Sequence, residues 1–239
     1  MKTALLAGAT GLIGSQLLDL LLAADDRYER VISIGRRTLP IQHPRLEQRI
    51  VNFDSLETER LRLIADDVFC CLGTTIRQAG SEEAFYRVDY SYVVKLAALL
   101  SGNFASQFLV VSALGADADS HIFYNRVKGE METAVKQTTF RAIHIFQPSL
   151  LLGERPNPRF GERVAAAVLA VVGPLLIGPL RPYRAIRAAT VAQAMLDAAR
   201  QDGGGTRTYR SDEIAAGVAR ETAPGGGGRA GKSGTSVAA

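Results

Sequence analysis

The chain has 239 residues, of which 47% are hydrophobic and 22% charged, with a formal net charge of +4. That length suits one large α/β domain or two small ones, and the composition excludes collagenous, disulfide-rich and largely disordered classes. Arginine outnumbers lysine, and no basic stripe is interleaved with aromatics, so no nucleic-acid partner is expected. The cysteines Cys70 and Cys71 are adjacent, which is poor geometry for a disulfide framework. They read as small buried hydrophobes in a reducing compartment, and a cytoplasmic location is expected.

Short β-rich apolar runs alternate with helical-period segments, the pattern of a parallel sheet covered by helices. Ala4–Ala7 reads as the first strand and not as a signal peptide, because it breaks at Gly8 instead of running into a long apolar core. Leu12–Ala23 follows as a helix with Leu17, Leu18, Leu21 and Leu22 on its apolar face. Strands are expected at Val31–Ile34, Arg49–Phe53, Asp67–Leu72, Gln107–Ser112 and Ala142–Phe146. Helices are expected at Glu82–Leu100, Tyr124–Lys136, Glu162–Val172 and Val191–Arg200. The apolar stretch Val164–Leu180 is interrupted by Gly173 and Pro174 and reads as a buried helix with a turn, so membrane contact is not expected. An interfacial helix flanked by Arg163 and Arg181 is the alternative.

Gly8-Ala9-Thr10-Gly11-Leu12-Ile13-Gly14 joins the first strand to the first helix. Glycines at this place permit a tight turn and let a pyrophosphate approach the unpaired N–H groups of the helix N-terminus. Gly8, Thr10, Gly11, Leu12, Ile13 and Gly14 are therefore candidate dinucleotide contacts. Strand two ends at Arg36 and Arg37, with no acidic residue to bond the adenosine ribose of NAD. A guanidinium there suits the 2′-phosphate, so NADP(H) is expected over NAD(H). Asp54, just past strand three, is a candidate adenine contact. The expected architecture is a doubly wound parallel sheet of strand order 3-2-1-4-5-6, with a small substrate-side segment over about residues 150–202.

Ser112 stands at a strand's C-terminal end, the edge where open α/β sheets bind ligands. Tyr124 and Lys128 follow at i, i+4 on one helix face. The ammonium is expected to lower the Tyr124 pKa, so that the phenol exchanges a proton with a substrate oxygen that Ser112 holds. Lys128 can also hold the nicotinamide ribose. No metal-ligand spacing is present.

The order Gly8/Gly11/Gly14, Ser112, Tyr124-x-x-x-Lys128 resembles the short-chain dehydrogenase/reductase superfamily. Phe69–Thr75, Val111–Ala116 and Gln147–Arg155 are similar to its atypical subgroup, which includes the human Tat-interacting oxidoreductase and bacterial relatives. The resemblance covers about residues 1–200. It implies a Rossmann fold, NADP(H) binding, and cofactor contacts at Leu72, Gly73, Thr74 and Pro148. The better-known members also carry an Asn on the helix before strand five, where this chain offers Asp89. The expected function is hydride transfer to or from a small carbonyl or alcohol. A weakly catalytic NADP(H)-binding sensor is the alternative, and a monomer or a homodimer is compatible with either.

Residues 203–239 read as a Gly- and Ala-rich disordered tail. Within it, Gly226–Ser233 fits the P-loop pattern letter for letter, but no strand or helix flanks it, so no triphosphate site is expected.

Overall fold

Ala4–Ala7 is apolar throughout and Val31–Ile34 is broken only by Ser33, so neither offers a polar face to water, and they form middle strands buried on both sides. The computed structural model describes residues 1–153 and 178–218. Its strands in chain order are β1 (Lys2–Ala7), β2 (Tyr28–Gly35), β3 (Leu46–Ile50), β4 (Asp67–Cys70), β5 (Gln107–Val111) and β6 (Ala142–Gln147), then the short pair β7 (Leu151–Leu152) and β8 (Ile186–Arg187), then β9 (Gly205–Arg210). The main sheet has seven strands in the order β3-β2-β1-β4-β5-β6-β9. Every adjacent pair in it is parallel. β7 and β8 pair apart from it.

The helices are α1 (Leu12–Ala23), α2 (Ile76–Ala79), α3 (Glu82–Tyr86), α4 (Tyr92–Gly102), α5 (Phe123–Lys136), α6 (Ala188–Arg200) and α7 (Ser211–Ala216). Leu17 and Leu21 of α1 pack with Val191 and Met195 of α6 over one face of the sheet. Val93 and Leu96 of α4 pack with Met131 and Val135 of α5 over the other. Each such side chain contributes roughly 2 kcal/mol on full burial. These two layers make the fold the doubly wound arrangement that the alternation predicts.

Among the boundaries that depart from the sequence reading, three have a visible cause. Strand three ends at Ile50, not Phe53, because Asn52 caps a 3₁₀ turn over Phe53–Glu59 by accepting from the Asp54 N–H at 3.0 Å. The helix expected over Glu82–Leu100 is split between α3 and α4 by a π turn at Arg87–Ser91. The ordered fold also runs past residue 202. β9 joins the sheet with only Tyr209 buried, a weak apolar signal in sequence. The Tyr209 ring stacks on Phe146 at 4.9 Å and on His144 at 5.9 Å. Glu162–Val172, most of Val164–Leu180, Glu154, Arg155 and Gly226–Ser233 lie outside the described residues. Among the described residues, no helix is long and apolar enough to cross a membrane.

A polar network closes the N-terminal edge of the sheet around the buried Asp67 carboxylate. Tyr28 donates to Asp67 Oδ2 at 2.8 Å, Arg27 pairs with it at 2.9 Å, and Gln107 donates to Oδ1 at 3.0 Å.

His144 on β6 is buried, and its Nδ1 lies 3.1 Å from the Tyr209 hydroxyl. Burial, helped by the nearby Arg207 and Arg141, pushes its pKa down to about 4. The unfolded imidazole takes a proton near 6.5, whereas the folded one resists to about 4. This contribution to stability is present above pH 6.5 and is lost as pH falls through that window. The melting temperature of the wild type should therefore fall more between pH 6.5 and 4 than that of His144→Gln, as calorimetry at stepped pH would show.

Candidate active site

The turn between β1 and α1 is set by backbone crowding. Gly8 takes a φ of +89°, and a Cβ there would stand 2.5 Å from the Cys71 carbonyl oxygen. At Gly14 a Cβ would lie 2.1 Å from the Gly8 carbonyl oxygen, so the first turn of α1 presses directly on the loop. Gly11 differs: it is exposed, and the nearest protein atom to a Cβ there is Gly8 O at 3.2 Å. Gly11 is also the N-cap of α1 and offers no side-chain cap. The first-turn N–H groups thus lack a side-chain acceptor, which suits an anion. Thr10 is exposed beside them, while Ile13 is buried in the core and presents only backbone. Leu12 is half-buried against Gly153, just past β7.

Arg36 and Arg37 are exposed just beyond β2. The Tyr92 ring stacks on Phe53 at 5.3 Å. Burial and then a hydrogen bond to Asp54 raise the Tyr92 pKa, against the pull of Arg87 and Arg36. Asp54, Arg87 and Arg36 therefore all lie close enough to Tyr92 to act on its hydroxyl. Tyr92 and Arg87 were not singled out from sequence. Tyr92 sits at helical spacing among core residues and looks like one of them.

The loop after β5 hangs on β6: Ser112 N–H donates to Phe146 O at 2.7 Å, and Leu114 N–H to Pro148 O at 3.0 Å. Pro148 is buried. The Ser112 hydroxyl is buried and has no hydrogen-bond partner among the described residues. α5 then presses on the same loop, since a Cβ at Gly129 would lie 2.1 Å from Ala118 N. That approach fixes the face carrying Tyr124 and Lys128. Tyr124 is half-buried, its ring 5.5 Å from Phe85.

Lys128 is buried, and its Nζ lies 2.6 Å from Asp89 Oδ1. Asp89 Oδ2 accepts from the Thr74 N–H at 2.8 Å. A Cβ at Gly73 would stand 3.5 Å from Asp89 Oδ1 and 3.9 Å from Lys128 Nζ, so Gly73 and Thr74 wrap the pair, with Leu72 half-buried before them. Burial favours loss of the ammonium proton, but Asp89, Tyr124 and Cys70 together hold the Lys128 pKa above its ordinary value. The lowered Tyr124 pKa expected from Lys128 is not found. Burial raises it, and Asp89 adds to the rise by offsetting the ammonium. The sequence signal for Asp89 was a carboxylate four residues after Phe85 on a helix face that packs inward.

Residues 4–172 match the NAD dependent epimerase/dehydratase family. The rat protein HTATIP2 is 37% identical over 168 residues, 69% of each chain. A protein of Aspergillus terreus named fmp52-1, mitochondrial, is 31% identical over 205 residues, 83% of this chain and 87% of its own. Among solved structures, the Bordetella bronchiseptica enzyme WbmH in complex with NAD+ superposes with a TM-score of 0.65 at 14% identity, over 88% of this chain and 76% of its own. UDP-N-acetylglucosamine 4-epimerase from Bacillus cereus gives 0.64 at 16% identity, over 88% and 79%. The cytoplasmic location expected from the thiols is contradicted by the fungal relatives, which are named mitochondrial. Free cysteines point to a reducing medium and not to which compartment supplies it. The matched family spans more than half of the sequence and agrees with the parallel sheet and its glycine turn: this chain belongs to the NAD dependent epimerase/dehydratase family, as an atypical short-chain dehydrogenase/reductase.

Proposed function

We propose that the protein is an NADP(H)-dependent oxidoreductase that reduces a small carbonyl compound or oxidises the matching alcohol. The observation that carries this reading is the Ser112 hydroxyl, buried and unpartnered at the C-terminal end of β5. A buried hydroxyl without a partner is costly, and a substrate oxygen would satisfy it. The uncapped start of α1 and the open side of Gly11 fit a pyrophosphate. When bound, the nicotinamide would supply or accept the hydride at the carbonyl carbon. Ser112 would donate to the carbonyl oxygen and hold it. Tyr124 would pass its hydroxyl proton to that same oxygen. Lys128 would donate to the nicotinamide ribose. Leu72, Gly73, Thr74 and Pro148 would wall the nicotinamide side, and Asp54 the adenine side.

The raised Tyr124 pKa keeps the phenol protonated at neutral pH, the form that reduction needs, while making it a weaker acid. The same fact would suit an NADP(H)-binding sensor with little chemistry. A screen of aldehydes, ketones and quinones with NADPH, followed by absorbance loss, separates the two. Turnover of any class supports the enzyme, and tight NADPH binding without turnover supports the sensor.

Gly11 and Gly14 should separate fold from ligand. Gly14→Val should fail to fold, because its side chain meets backbone. Gly11→Val should keep the wild-type melting curve and lose NADPH binding in a fluorescence titration. Unchanged affinity would remove the loop from the site.

Arg36 carries the choice of cofactor. A guanidinium grips the 2′-phosphate by charge-assisted bonds worth roughly 1.5–3 kcal/mol each in a dry site. Exposure reduces this, so a preference of about tenfold to a hundredfold for NADP(H) is expected. Arg36→Asp should reverse it, and added salt should shrink it in the wild type. Isotherms for both cofactors at two salt concentrations test this. Equal affinities in the wild type would show that the arginine plays no part.

A further inference from the structure

The N-terminal edge of the sheet carries an apolar cluster that neither the core nor the candidate site uses. Residues 60–66 and 101–106 are the loops entering the neighbouring strands β4 and β5. The Asn103 side-chain amide donates to Arg60 O at 2.6 Å and to Leu63 O at 2.8 Å, so the two loops form one platform. Leu63 and Ala65 turn into the core, which leaves Leu61 and Ile64 outside, 90% and 57% exposed. Phe104 joins them at 94% exposed. Its backbone is unfavourable as well. α4 ends in a Schellman turn, with the Phe104 N–H donating to Ser101 O at 3.1 Å and the Ala105 N–H to Leu100 O at 3.0 Å. That turn puts Phe104 at a φ of +62°, a position where glycine is usual. The ring takes no part in closing the turn, since Leu100 and Ala105 supply its buried contact. A strained backbone thus holds a bare aromatic ring in water, beside a bare leucine and isoleucine.

Charge complementarity identifies the occupant. Residues 60–66, 101–106 and 136–141, which enter β4, β5 and β6, carry Arg60, Arg62, Lys136 and Arg141 against one carboxylate, Asp66. Asp66 is occupied by the Thr3 N–H at 2.7 Å. Lys136 and Arg141 reach Glu132 and Asp202. Arg60 has no ion pair among the described residues, and Arg62, 76% exposed, has only Glu59 at 4.0 Å. We propose that this edge docks on an anionic lipid surface, with Leu61, Ile64 and Phe104 entering the acyl boundary and Arg60 and Arg62 meeting the headgroup phosphates. Leu61 and Phe104 project separately, so a protein partner would have to supply a pocket for each, whereas lipid needs none. Three side chains also fall well short of the roughly 800 Å² per partner that a stable protein interface buries. The cluster is separate in sequence from the Val164–Leu180 stretch, and the docking is independent of the oxidoreductase reading. Ser112 and the start of α1 lie at the other edge, so docking leaves them facing away from the lipid.

The test is sedimentation of the full chain with vesicles of phosphatidylcholine and phosphatidylglycerol at about 2:1, and with vesicles of phosphatidylcholine alone. The wild type should bind the anionic vesicles about tenfold more tightly than the neutral ones, and added salt should narrow that gap. Phe104→Gly removes the ring and suits the positive φ. It should melt no lower than the wild type and yet bind anionic vesicles about tenfold more weakly. Leu61→Ser combined with Ile64→Ser should weaken binding to a similar degree. Arg60→Gln combined with Arg62→Gln should remove the preference for anionic vesicles. A wild type that stays in the supernatant with both vesicles overturns the proposal. So does binding that Phe104→Gly leaves unchanged, which would put the contact on another segment. If the wild type forms a dimer without lipid, seen by light scattering, and Phe104→Gly abolishes it, the edge belongs to a second copy of the chain and the proposal falls.

Discussion

The buried pair of Asp89 and Lys128 is the interaction on which the site's geometry depends. It ties the π turn to α5 and, through the Thr74 N–H, to the loop after β4. Each partner alone would be an uncompensated charge in the core, and breaking such a pair costs about 3–5 kcal/mol. Replacing both by apolar groups could be neutral for stability. The pair therefore speaks less for stability than for holding an ammonium at a fixed place beneath the C-terminal edge of the sheet.

Glycine crowding does the complementary work on the backbone. Gly8, Gly14 and Gly129 sit where any side chain would collide with main-chain atoms at 2.5 Å or less. These contacts draw α1 onto the β1 turn and α5 onto the loop after β5. Gly11 has the same residue type for another reason, because the space beside it faces outward. One residue type thus serves internal packing at three positions and leaves open space at the fourth.

The two edges of the sheet have opposite character. At the N-terminal edge, Asp67 is satisfied by Tyr28, Arg27 and Gln107. At the C-terminal edge, among the described residues, the Ser112 hydroxyl has no partner and the first turn of α1 has no side-chain cap. The solved neighbours at 14% and 16% identity share the fold alone.

Much of this was determined by local sequence. The order of strands β1 to β6 follows from apolar runs alternating with helical periods, and the glycine turn follows from its place between a strand and a helix. The spacing of Tyr124 and Lys128 puts them on one helix face whatever surrounds them. What the tertiary structure alone decided depends on groups distant in the chain. β9 joined the sheet because Tyr209 found Phe146 and His144, and its own segment carries too little apolar residue to announce a strand. The pKa of Tyr124 moved up, not down, because burial and a carboxylate from another helix outweigh the ammonium one turn away. A period of 3.6 residues foretells which side chains share a face, but a π turn breaks that period, and only packing reveals that Asp89 reaches Lys128.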